Sequence, residues 1–361
     1  MMKNKNKLYI GIVGICFALL VLLMWFTPDA EHSAAERRKL KQMPLLTWET
    51  VFNGKFMSEF ESYCLDQFPF RDAFRSLKAL TSLKADNNDV YVVDDVINSM
   101  DYPMREESLD YAAERFYNVY NMYLKDAGCQ IYLSIIPDKN YFYGRENGYL
   151  TVDYDALVSK VVSDNDYMTY LDIFPYLTGE DYYRTDTHWR QEKIVDVAEA
   201  LLESMGHGVD TVYEYVEERE EFRGVYYGQA ALPLQPDRIA YVENPMIRNF
   251  VVYDYQNSKE IPVYDRDELT GEDPYELFVG GPISLVTIEN AQNPEGAHLI
   301  VFRDSFGSSI SPLLAQGYAK TTLIDIRYIQ PAILKNFVEF ENADVLFMYS
   351  TMVLNNSETL K

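Results

Sequence analysis

Five short apolar runs, each separated from the next by segments with helical spacing, constrain this chain more than anything else in it. Gln130–Ile136 (QIYLSII) is closed by Pro137, His298–Arg303 (HLIVFR) and 345–349 have the same brief apolar character, and 167–172 and 321–326 are similar with Thr and Asp interspersed. Runs of this length, bounded by turn residues, read as buried strands. Leu109, Ala112, Phe116, Tyr120 and Tyr123 recur at spacings of three or four and predict a helix over 107–126 that Gly128 ends. Helices are also expected over 154–163, 191–205 and 332–340 and through Leu313 and Leu314, and a helix broken at Pro69 over 59–75. Strands separated by helices leave little room for hairpins. The expected fold class is therefore α/β, a parallel sheet flanked by helices. Residues 212–293 are rich in Tyr, Val, Pro and Gly and lack helical periodicity. They read as a β-rich or irregular insertion, of unassigned role, in an α/β domain spanning 56–361.

The N-terminus sets the compartment. From Leu8 to Phe26 no side chain is charged. At about 1.5 Å rise per residue the run approaches the ~30 Å hydrocarbon core of a bilayer. Lys3, Lys5 and Lys7 precede it, Asp29 and Glu31 follow, and the cluster Arg37, Arg38, Lys39 and Lys41 begins only later. This asymmetry predicts a single-pass protein of the cell membrane, with residues 1–26 as cytoplasmic tip and transmembrane helix, 27–55 as a stalk, and the rest extracellular. A cleaved signal peptide is the competing reading, with Ala30, Ala34 and Ala35 as small residues downstream. The long run and its Pro28-Asp29 exit favour a retained anchor.

A net charge of −24 argues against nucleic-acid binding, which needs a basic footprint. Three cysteines are too few for a disulfide scaffold. Cys16 lies within the apolar run, while Cys64 and Cys129 either pair outside the cell or remain two free thiols. The 30 tyrosines suit a sugar-binding surface, but Tyr is equally at home half-buried in strands.

Two segments carry chemistry. Asp186-Thr187-His188-Trp189 offers a carboxylate two residues before an imidazole, and Arg303-Asp304-Ser305-Phe306-Gly307 offers a hydroxyl where an expected strand breaks into a turn. Ligands and catalytic groups of parallel sheets collect outside the carboxyl ends of the strands, where Ser305 falls. Its turn could also aim backbone N–H groups at an oxyanion. An aspartate against one ring nitrogen would fix the tautomer and leave the other nitrogen to take a proton from serine. Each segment also has a plainer reading, since Asp304-Ser305 and Asp186-Thr187 both suit helix caps and His188 could be a buried structural imidazole. A metal site built on Asp-x-His lacks further His or Cys ligands nearby, so no metal or cofactor is expected. His32, His207 and His298 read as structural or solvated, with His298 at the end of its strand away from Ser305.

At these residues the chain resembles the DHHW family, membrane-anchored bacterial proteins related to the alginate O-acetylation enzymes and, more distantly, to SGNH-type hydrolases. YYRTDTHW, ending at Trp189, resembles the family's defining motif and LIVFRDSFGSS its serine block. FESYCLDQFPFRD, SIIPDKNYFY and GGPISLV are supporting matches in the expected order. Thr187 stands where the family name implies a histidine, which leaves the later His188 in place. The Asp-His block precedes the serine, similar to the permuted order of the alginate acetylation enzymes.

The resemblance implies an SGNH hydrolase-like fold with Ser305 as nucleophile, His188 as general base and acid, and Asp186 as the orienting carboxylate. The Ser305 N–H is the leading candidate for the oxyanion donor. Arg327 and Lys139, at other strand ends, are candidates for binding the acyl carbonyl or glycan. The implied activity is O-acetylation of an exported or cell-surface polysaccharide, with a membrane-bound O-acyltransferase as a possible acetyl supplier. A carbohydrate esterase or deacetylase with the same triad, and a non-catalytic glycan-binding or assembly protein, are the alternatives.

Overall fold

Eight strands form one sheet. In chain order they are β1 (Gln130–Ile136), β2 (Thr169–Tyr170), β3 (Val251–Asp254), β4 (Lys259–Ile261), β5 (Leu285–Glu289), β6 (His298–Arg303), β7 (Lys320–Ile324) and β8 (Asp344–Ser350). The structure, a computed structural model, describes residues 2–33, 36, 38–81, 89–271 and 273–361. The spatial order is β4-β3-β5-β7-β6-β8-β1-β2. Strands β7, β6, β8, β1 and β2 run parallel, and β5, β3 and β4 continue the sheet antiparallel beyond β7.

The five expected runs are the five parallel strands. The 212–293 stretch supplies the antiparallel extension, and a separate two-stranded antiparallel sheet pairs Glu214–Phe222 with Asp237–Glu243 across a connection that contains the helix Val225–Ala230. Part of this stretch therefore continues the main sheet instead of standing apart from it.

Helices cover both faces, as a parallel sheet requires. On one face, α1 (Glu106–Val119) and α2 (Tyr154–Asp164) pack through Leu109, Phe116 and Leu157 onto Ile300 and Phe302 of β6 and Val345 and Phe347 of β8. On the other, α3 (Val195–Ser204) and α4 (Phe306–Leu314) pack through Leu201 and Ile310 onto Leu299 and Val301 of β6 and Leu346 of β8. Successive residues of one strand serve opposite cores, the period-two pattern of a doubly covered sheet.

Two helical expectations differ in detail. The helix expected over 332–340 is a 3₁₀ stretch, Pro331–Asn336, opened by proline and without a side-chain cap bond. The helix expected from residue 191 begins as a 3₁₀ turn, Gln191–Lys193, and becomes α-helical only at Val195. His188 therefore sits in an irregular loop and not in the first turn of a helix.

The sheet and its helices belong to a unit made of Asn88–Tyr226 and Leu234–Lys361, while Met1–Asn87 and Tyr227–Pro233 form a second unit. The second unit holds the apolar helix Met2–Phe26, in which Tyr9–Phe26 has a mean hydropathy of 2.5 and no buried residue. It is long and apolar enough to cross a membrane. Helices Trp48–Phe52, Lys55–Asp66 and Arg71–Thr81 follow, the last two separated at Pro69. Asp66 pairs with Arg38 at 2.6 Å, and Glu36 with Arg71 and Arg75. Ala34, Ala35 and Arg37 lie outside the described residues. Cys64 and Cys129 are free thiols.

Candidate active site

The β6–α4 junction puts Ser305 at the carboxyl end of the central strand. Ser305 occupies the N-cap position of α4, yet its side chain makes no capping hydrogen bond. Asp304 does that work instead: Oδ1 accepts from the Phe306 N–H at 3.0 Å, and Oδ2 accepts from the Ser350 N–H at 2.8 Å. One fully buried carboxylate thus closes the helix and ties the turn to the end of β8. The Ser305 hydroxyl is released for another partner.

That partner is His188, whose Nε2 lies 2.8 Å from Ser305 Oγ. Its Nδ1 is 2.6 Å from Asp186 Oδ1, which also accepts the His188 backbone N–H at 3.1 Å. A carboxylate on Nδ1 leaves Nε2 free to accept the serine proton. Asp186 is 1% exposed and His188 7%, while Ser305 is half-buried. The three side chains form one hydrogen-bonded chain from a dry carboxylate to a reachable hydroxyl.

The loop that carries Asp186 and His188 has no regular structure, and contacts from several elements hold it. Asp237 Oδ2 accepts from the Thr185 N–H at 2.7 Å and from its hydroxyl at 2.6 Å. The Val225 N–H donates to Asp186 Oδ2 at 2.8 Å, and the Tyr226 N–H donates to the Thr185 carbonyl. Gly224 makes this approach possible, because a Cβ there would stand 2.2 Å from Asp186 Cβ. Tyr275 stacks on the imidazole with ring centroids 3.7 Å apart and planes 4° from parallel, and Phe306 meets it edge-on. The Tyr275 hydroxyl donates to Ser309 Oγ at 2.8 Å, and the Trp189 indole N–H donates to the same oxygen at 2.9 Å.

Lys139 follows the carboxyl end of β1 but is 2% exposed. Its ammonium donates to the Tyr183 carbonyl at 2.8 Å and the Arg184 carbonyl at 3.3 Å, and lies over the Tyr226 ring. Burial pulls its pKa down to about 7, against the opposing pull of Asp186, Asp237 and Asp138. Arg327, after the carboxyl end of β7, is spread over both oxygens of Asp325 at 2.7 to 3.3 Å. His298 lies at the opposite end of β6, where burial, with Lys320 nearby, lowers its pKa to about 4, and it bonds Thr322 Oγ1. His207 pairs with Asp344. Among the described residues no group of three His, Cys, Asp or Glu side chains converges as metal ligands would.

No protein-family model and no curated protein matches the sequence. Solved structures match its fold. A DHHW family protein from Eubacterium siraeum aligns with a TM-score of 0.58 and 20% identity over 76% of this chain and 95% of that one. The resemblance to the DHHW family extends to the fold. Bacillus cereus PatB1 aligns with a TM-score of 0.59 and 13% identity, over 73% and 96% of the two chains. The same protein carrying a sulfonyl adduct aligns with a TM-score of 0.57 and 14% identity, over 73% and 97%.

Several residues at the site were not singled out from sequence. Asp237, Gly224 and Tyr275 lie in the stretch without clear periodicity, and nothing local marks them. Arg303 is fully buried, with its guanidinium on the Gly281 and Ile283 carbonyls at 3.2 and 3.4 Å. The signal for that clamp was present in the Gly280-Gly281 pair. Both glycines have positive φ, and they follow Val279, a β-branched residue held at φ 52°.

Proposed function

We propose that this protein is an extracytoplasmic, membrane-anchored serine O-acetyltransferase acting on an exported or cell-surface polysaccharide. The observation that carries the reading is the unbroken chain Asp186 Oδ1 to His188 Nδ1 and His188 Nε2 to Ser305 Oγ, at 2.6 and 2.8 Å. As Ser305 Oγ attacks an acetyl carbonyl, His188 Nε2 takes its proton and Asp186 stabilises the resulting imidazolium. The negative charge that builds on the carbonyl oxygen faces the Ser305 N–H at the start of α4. His188 then returns the proton to the departing oxygen, leaving acetyl-Ser305. In the second half a sugar hydroxyl gives its proton to Nε2, attacks the acetyl carbon and displaces Ser305 Oγ, which recovers the proton.

The acetyl group and the polysaccharide come from the resemblance of the YYRTDTHW and RDSFGSS segments. The sulfonyl adduct of PatB1 supports a reactive nucleophile on this fold. Export and anchorage rest on the apolar helix and the lysines before it. Lys139 supports the loop that holds Asp186, and Arg327 is a candidate contact for substrate.

Full-length protein in detergent should release p-nitrophenol from its acetate ester, and Ser305→Ala should reduce turnover by about 10³-fold or more. An unchanged rate in Ser305→Ala would end the triad reading. Supplying an acetylatable oligosaccharide should divert acetyl from water to sugar. Hydrolysis that continues undiverted would make the protein an esterase with the same three residues.

A further inference from the structure

The unit containing the apolar helix carries an exposed apolar surface that the reaction does not use. Leu45, Leu46, Trp48 and Phe52 are 83, 70, 80 and 82% exposed. Trp48 and Phe52 stack on one side of the short helix Trp48–Phe52, which Thr47 and Thr50 close with reciprocal hydrogen bonds. Large apolar side chains grouped this way ordinarily mark a contact surface.

What flanks this surface in the chain indicates what covers it. Val21, Met24 and Trp25, in the last turns of that helix, line a cavity of about 550 Å³ together with Met43, Phe60 and Tyr63. The Tyr63 hydroxyl donates to Asp29 at 3.0 Å, and the Gln67 side chain both accepts from the Ala30 N–H and donates to its carbonyl, each at 2.9 Å. The helix Lys55–Asp66 is therefore fixed at the chain's exit from the apolar helix. Met43, two residues before Leu45, lines that cavity with Trp25, so the exposed apolar residues begin close in sequence to the end of the helix where a spanning segment leaves the hydrocarbon.

We propose that Leu45, Leu46, Trp48 and Phe52 insert into the headgroup region of the outer leaflet as a second membrane contact, beside the anchor. This rests on the anchor reading of Met2–Phe26. The chemistry suits the place. Trp is enriched at membrane interfaces, because its ring is apolar and its N–H is polar. Lys41 and Lys55 flank the patch and suit lipid phosphates. With two points of attachment, residues 43–66 would lie against the bilayer instead of swinging on a free stalk.

The three tryptophans make this testable in the full chain reconstituted into liposomes, because Trp189 is fully buried. In Trp25→Phe, lipids brominated near the headgroup should quench most of the Trp48 emission, and lipids brominated at the bilayer centre much less. Exchanging Leu45 and Phe52 for glutamate should abolish that quenching. In Trp48→Phe, quenching of Trp25 reports the anchor separately. Trp25 quenched with Trp48 open to aqueous iodide would overturn this proposal and spare the anchor. Trp48 shielded from both bromolipid and iodide would also overturn it, placing a protein surface such as a second copy over the patch. An unquenched Trp25 would remove the anchor and this contact together.

Discussion

The segment carrying Ser305 and the loop carrying His188 reach the same hydrogen bond by different means. Ser305 is delivered by regular structure: a buried strand, one capping aspartate and a helix, all within a few residues. His188 is held by groups distant in sequence, from Lys139 and Asp237 to Val225 and Tyr275. The serine side depends on a strand–helix junction that one buried carboxylate, Asp304, closes and ties to Ser350. The histidine side depends on side chains that must all arrive, and it offers more ways to lose activity without unfolding.

The sharpest test of that contrast is Gly224→Ala. The added Cβ would fall 2.2 Å from Asp186 Cβ and 2.4 Å from its Cα, contacts that no rotamer can relieve. Displacing the carboxylate by about 1 Å should cost roughly 10²-fold in acetyl-ester turnover. Circular dichroism and thermal melting should change little. A variant that keeps its activity would mean that the loop tolerates movement, and the contrast would fail.

On the serine side Asp304→Ala should act on stability first. It removes the acceptor of two buried N–H groups, from Phe306 and Ser350, at about 1–3 kcal/mol each. Urea denaturation should show this loss. Intact stability would show that the junction does not rely on its cap.

This contrast also explains what could be read in advance. The strand–turn–helix around Ser305 was legible because Leu299 to Phe302 are uniformly apolar, as a doubly covered strand must be, and Asp304-Ser305 follows directly. His188 was legible as chemistry, through Asp186 and a family resemblance, but not as architecture. No periodicity in 212–293 indicates that Tyr275 will lie on the imidazole or that β3 to β5 will extend the sheet. Such pairings are settled by tertiary register, which short strands rich in Tyr and Val do not encode locally. Lys139 illustrates the remaining gap. A lysine after a strand end suggests a cleft, and only packing shows that its amine is spent on two carbonyls.

Lys139 also gives the histidine side a pH signature. Its folded pKa of about 7 lies below the ordinary lysine value of 10.5, so the unfolded chain binds the extra proton between those limits. Stability from this group should therefore rise as pH increases from 7 towards 10, and the penalty for burying the charge is fully present below 7. Lys139→Met should flatten that rise, a difference on the order of 2 kcal/mol between pH 7 and 9 by urea denaturation. Equal slopes in the two proteins would mean that the amine is not held as its buried setting implies.

The smallest effect should come from the ring that faces His188. Tyr275 contributes two separable things, a flat surface against the imidazole and a hydroxyl on Ser309 Oγ. Ser309 Oγ retains the Trp189 N–H and a contact to the Phe306 carbonyl when that hydroxyl is removed, so the network can absorb its loss. Tyr275→Phe should therefore leave turnover within about twofold of the parent, because the stack survives. Tyr275→Leu keeps bulk but loses the parallel surface, freeing the imidazole to tilt away from the line between Asp186 and Ser305. It should lower kcat by about tenfold, equivalent to ~1.4 kcal/mol in the barrier, with KM for a small acetyl ester unchanged. If Phe is as damaging as Leu, the hydroxyl network and not the ring orients His188. If neither matters, Asp186 alone aligns the imidazole, and the histidine side is simpler than its contacts suggest.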